Sequence, residues 1–134
     1  MPQLISMPEL TMLYGAIFGL MSIAISTRAG LLRGKTKISI GDGGNQEMLL
    51  AMRRHANFVE YVPLALIIIA MMEMNRAPDY AIHGLAGALV VARIAHAFGL
   101  HHSNIMTGGR IAGAMLTALV TVVASIWSIL LFFQ

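Results

Sequence analysis

Residues 110–133 read RIAGAMLTALVTVVASIWSILLFF, an apolar run with no charge after Arg110 and an aromatic end at Phe132 and Phe133. A helix crosses the hydrocarbon of a bilayer with roughly 20 apolar residues, so this stretch is long enough to span it, and the solvent to plan for is lipid. Working outward, the same signature recurs at about residues 10–26, 54–74 and 80–100, which predicts an all-α membrane protein built as a four-transmembrane-helix bundle. Span two is the apolar part of a longer helix opening at Gln46, whose first turns are polar, and Pro63 inside it is expected to kink rather than break it. Arg28 to Gln46, with Arg33, Lys35, Lys37 and the run Gly41-Asp42-Gly43-Gly44-Asn45, reads as a polar loop.

Composition agrees with this. Of 134 residues 57% are hydrophobic and 11% charged, against roughly 45–50% and about 25% in a soluble domain. The mean hydropathy is +0.76, and a water-soluble fold of this composition would expose apolar patches that soluble monomers avoid. Four spans use up the length, leaving no room for a soluble domain. The absence of cysteine excludes a disulfide framework, a thiolate metal site and a thiol nucleophile, so any sulfur chemistry must arrive with a substrate. Residues 1–10 contain no Lys or Arg and are expected to stay on the chain rather than be cleaved as a leader. The net charge of +3 is not arranged as a nucleic-acid surface. It marks topology instead: six of the nine basic residues lie in Arg28–Arg54, Arg110 lies at the other loop on that side, and the positive-inside rule puts both loops in the cytoplasm and both termini outside.

The polar residues associated with the spans collect at one depth. Arg53, Asn57 and Glu60, spaced i, i+4, i+7, share a helical face near the cytoplasmic end of helix two. Helix three runs back and returns Arg93 and His96 to that level, where Arg28 closes span one and Arg110 opens span four. An ionisable group at mid-bilayer costs about 2.5–3.5 kcal/mol on insertion scales, so Glu60 and Arg93 are expected to avoid lipid and pair. A structural lock needs two or three such groups, whereas four cations with one acid, one amide and one imidazole ask for an anionic ligand. Arg33, Lys35, Lys37 and Arg54 read as headgroup anchors, and Glu73 and His83 as interfacial groups at the opposite end. Adjacent His101 and His102 lack the spacing of a metal site, and no metal is predicted. Gly15-x-x-x-Gly19 and Gly109-x-x-x-Gly113 permit close helix approach.

These residues carry a resemblance. Arg53-Arg54-His55-Ala56-Asn57-Phe58-Val59-Glu60-Tyr61-Val62-Pro63 resembles the Arg-x-x-x-Asn-x-x-Glu-x-x-Pro signature of the MAPEG family, membrane-associated proteins in eicosanoid and glutathione metabolism, and Arg93-Ile94-Ala95-His96 is similar to its third-helix motif. Gly41-Asp42-Gly43-Gly44 and Met72-Glu73-Met74-Asn75 look like the small bacterial inner-membrane branch. The resemblance implies a homotrimer with glutathione as cosubstrate between subunits, lined by Arg53, Asn57, Glu60, Arg93 and His96, with Arg28 at the corresponding end of helix one, or Arg33 in its place if that helix is longer. It puts Arg110 beside the thiol as the catalytic group. It also implies a lipophilic small molecule or lipid as second substrate. The sequence departs from the family in two places. Ala97-Phe98-Gly99-Leu100 follows His96 where several family enzymes place an aromatic hydroxyl, and Ile111-Ala112 follows Arg110 where the prostaglandin-synthase branch has Ser and Tyr.

The leading expectation is therefore a glutathione-dependent transferase or peroxidase, which needs only an activated thiolate, rather than a prostaglandin isomerase. Two other classes stay open: a non-catalytic glutathione- or lipid-binding scaffold, and a small multidrug-type exporter. The exporter would look for an acid in span one, which has none.

Overall fold

The computed structural model describes residues 7–100 and 107–134; the His101-His102 pair lies outside these. Four helices follow one another, α1 Glu9–Thr36, α2 Gln46–Met74, α3 Asp79–Gly99 and α4 Gly108–Phe132. All four are long and apolar enough to cross a membrane. Packing is sequential: among the described residues α2 touches the other three helices, α3 lies along α4, and α1 touches α2 and α3 but not α4. Phe18 of α1 and Phe58 of α2, ring centroids 6.1 Å apart, meet in a core continued by Val62, Ala65, Ile69, Leu89 and Val120. Large apolar side chains such as Leu20, Val91, Leu119 and Ile129 cover the outside, the inverse of a soluble protein and the arrangement a lipid solvent favours.

α1 corrects the expected boundary. It runs to Thr36, past Ser26 and through nearly half of the segment expected to be loop. Ala29, Leu31, Leu32, Arg33 and Lys35 are good helix formers, and Leu32 packs with Met48 and Ala51 of α2 in a small second core. A 28-residue helix is about 42 Å long at 1.5 Å per residue, so α1 projects beyond the hydrocarbon. It ends at Lys37 in the left-handed conformation, φ 55°. Arg33 then holds the connection, its Nη1 donating to the carbonyls of Ile38, Ser39 and Gly41 at 3.2, 3.3 and 3.1 Å. Asn45 caps α2, its Oδ1 accepting from the Met48 N–H at 2.9 Å, and the helix continues through Pro63.

At the opposite end Glu73 is a structural group and not an interfacial one. It is 7% exposed, and its carboxylate accepts from the N–H groups of Leu10 and Thr11, both at 2.8 Å, and from the Thr11 hydroxyl at 2.7 Å. A helix start has N–H groups without intrahelical partners and carries partial positive charge. Here an acid from the last turn of α2 supplies both needs of α1.

Candidate functional site

The approach of α3 to α4 builds the site. A Cβ on Gly113 would stand 2.5 Å from the Ala92 carbonyl oxygen and 2.6 Å from the His96 nitrogen, and Gly99 and Gly109 face each other in the same seam. The Gly109-x-x-x-Gly113 pattern therefore serves packing within one protomer. With the backbones this close, Thr117 of α4, one turn after Gly113, meets Arg93 of α3.

Arg93 is 2% exposed. Its Nη2 donates to Asn57 Oδ1 of α2 at 2.6 Å and its Nη1 to Thr117 Oγ1 at 3.3 Å, while the Thr117 hydroxyl donates to the Gly113 carbonyl at 2.7 Å. Three helices thus converge on one guanidinium. The expected Glu60 partner is not there: Glu60 is exposed, as is Arg53. Asn57 stands at the edge of their shared face and reaches inward, whereas Phe58 and Val62 are the residues α2 buries, so Arg53 and Glu60 are turned away from the protomer's core.

His96, 4% exposed, lies one turn beyond Arg93, and the guanidinium charges of both Arg93 and Arg110 act on its ring. Arg110 is half-buried in the first turn of α4, where the Thr107 hydroxyl caps the helix by accepting from the Arg110 N–H at 3.4 Å. Among the described residues Arg93 Nε and His96 Nδ1 are buried without a hydrogen-bond partner. Asn57, Arg93, His96 and Arg110 thus gather in one layer, with Arg53 and Glu60 on its outer side. Arg28 is placed elsewhere, beside Arg54 on a cavity between α1, α2 and α3, and Arg33 is engaged with the loop.

Known proteins match this chain. The model of the MAPEG family covers residues 11–130. The chain belongs to the MAPEG family. Among its relatives are the inner membrane protein YecN of Escherichia coli K12 and of the O6:H1 strain, each 36% identical over 90 residues that make up 67% of this chain and 69% of theirs. No solved structure matches. MAPEG proteins are in general associated with glutathione. Sequence reasoning missed one member of the polar layer, Thr117, which could have been found from its i+4 spacing to Gly113.

Proposed function

We propose that this MAPEG protein is an integral inner-membrane, homotrimeric glutathione-dependent transferase or peroxidase acting on lipophilic electrophiles, with its basic loops cytoplasmic and both termini on the other side. The observation that carries the reading is Arg93. It is a buried cation held by two neutral acceptors, Asn57 and Thr117, and a buried charge without a countercharge is costly. Glutathione brings two carboxylates, and the unpartnered Arg93 Nε and His96 Nδ1 fit a polar anion at this place. The exposed Arg53 and Glu60, on a face otherwise formed by Val59, Tyr61 and Leu64, would line the outer half of the site where a neighbouring protomer closes it. Glu60 then suits the ligand's amine.

Glutathione supplies the nucleophile, as thiolate rather than thiol. Arg110 is assigned to favour that ionised sulfur by its charge and by its place in the first turn of α4, where the helix dipole adds to it. Asn57 and Thr117 orient Arg93, and the apolar bundle keeps water from the layer. In conjugation a C–S bond forms at the acceptor as its leaving group departs. In the peroxidase alternative two thiols are oxidised to a disulfide while a hydroperoxide is reduced to an alcohol and water.

The test is glutathione titrated into detergent-purified protein, following heat of binding and thiolate absorbance. Saturable binding with a thiolate signal that Arg110→Ala abolishes is the expected result. Binding without thiolate, and without turnover of model electrophiles or hydroperoxides, would make the protein a scaffold, and no binding at all would remove the reading.

A further inference from the structure

The cavity between α1, α2 and α3 stands apart from the Arg93 layer, and its chemistry differs. Met21, Ala24 and Ile25 of α1 and Ile94, Ala97 and Phe98 of α3 form apolar walls, and Arg28 and Arg54 stand together on its border. Its volume is about 370 Å³, within the range of roughly 300–1,000 Å³ usual for small-ligand sites. The same two arginines line the adjoining space at the start of α2 with Gln46 and Glu47, so they mark the boundary between an apolar interior and the polar end of the bundle. Ile94 and Phe98 are 44% and 78% exposed, so the cavity opens on the outer flank of the protomer.

Two observations ask for an anion here. The Arg28 charge acts on Arg54, a repulsion that a shared anion would relieve. Arg54 Nη2 is fixed by the Leu100 carbonyl at 2.8 Å, yet its Nε is buried without a partner among the described residues. Lys35 lines the neighbouring space too, and Glu47 is the one acid among the residues lining these three spaces. A molecule that answers both halves carries an anionic head and a hydrocarbon chain.

We propose that this cavity is a site for an anionic phospholipid, whose phosphate sits between Arg28 and Arg54 while one acyl chain enters along Met21, Ile25 and Ala97. The arginines lie at the end of the bundle where a bilayer presents its headgroups, and basic residues near such a surface attract anionic lipid. The second chain lies outside, against Ile94 and Phe98. Within one protomer the cavity shares no residue with the Arg93 layer, and the two substitutions that test it, Arg54→Gln and Ala24→Phe, change no residue assigned to glutathione.

The chain has no cysteine, so Ala97→Cys gives a single reporter on the cavity wall. The protein is placed in nanodiscs of dioleoyl phosphatidylcholine alone or with one third dioleoyl phosphatidylglycerol, and maleimide labelling rates are compared. Native mass spectrometry of the unsubstituted chain counts retained lipid. The expected result is one phosphatidylglycerol kept per protomer, labelling slowed at least fivefold by that lipid, and loss of both effects in Arg54→Gln. Ala24→Phe, which narrows the cavity and leaves both charges, should lose the retained lipid as well, with helical content by circular dichroism verifying its fold. Equal labelling in the two lipids, or undiminished retention in both Arg54→Gln and Ala24→Phe, overturns the proposal. So does oleate displacing phosphatidylglycerol at lower concentration, which would make the occupant a free fatty carboxylate. A reporter thiol that reacts in neither lipid would mean that a second copy of the chain covers the cavity, which overturns it too.

Discussion

Arg93 illustrates how much depends on individual polar contacts in an apolar bundle. Hydrogen bonds to a charged group are worth about 1.5–3 kcal/mol each, and Asn57 and Thr117 supply both of those seen on its guanidinium. Asn57→Ala and Thr117→Val are therefore expected to weaken glutathione binding by roughly 10–100-fold, from the bond energy just given, with the heat of titration as the measure. Thr117→Ser, which keeps the hydroxyl, should restore most of it. Glu73 makes a different prediction. Glu73→Ala leaves the Leu10 and Thr11 donors unsatisfied and should lower stability by about 1–3 kcal/mol, read as an earlier unfolding transition in detergent, with glutathione affinity in the folded protein unchanged. A loss of affinity without loss of stability would contradict that division between the two ends of the bundle.

Among the elements, the seam of α3 and α4 is the least tolerant. Gly113→Ala would drive a methyl into the Ala92 carbonyl, and overpacking of this kind costs about 1–3 kcal/mol. It should also weaken glutathione binding, because Thr117 and Arg93 would be spread apart. Gly84→Ala, where an added Cβ meets nothing within 4 Å, is the matching control and should be neutral or slightly stabilising, by up to about 1 kcal/mol from helix propensity. Thermal unfolding of the two variants side by side reads the contrast.

For the whole molecule, the sequence and the folded protein agree where hydropathy and helical period carry the information. Four helices were legible from four apolar stretches, and Arg53, Asn57 and Glu60 were legible as one face. What could not be read was how that face is rotated against its neighbours: the period places Glu60 with Asn57, yet only the packing of Phe58 and Val62 sets Asn57 inward and Glu60 outward. The extension of α1 was hidden because Gly30, Gly34 and the basic residues look like loop until Leu32 is seen against Met48. Glu73 was hidden because a cap supplied from another helix leaves no local pattern. The outward face bears on the proposed assembly. If protomers share the site, chains carrying Arg53→Ala and chains carrying Arg93→Ala, each defective alone, should regain glutathione binding in part when coexpressed, and a mixture as inactive as its components would place the whole site in one chain.

The contact of Glu73 with the start of α1 also bears on biosynthesis. Thr11 leaves the ribosome 62 residues before the carboxylate that caps it, so the first helix enters the membrane with its opening turn unfinished and is completed only when the second has crossed. A chain halted before Glu73 would have two hydrophobic helices and no clasp at that end, exposing a state that quality-control proteases could recognise. The opening turn of α1 is thus the part of this hairpin that has to wait longest for its partner.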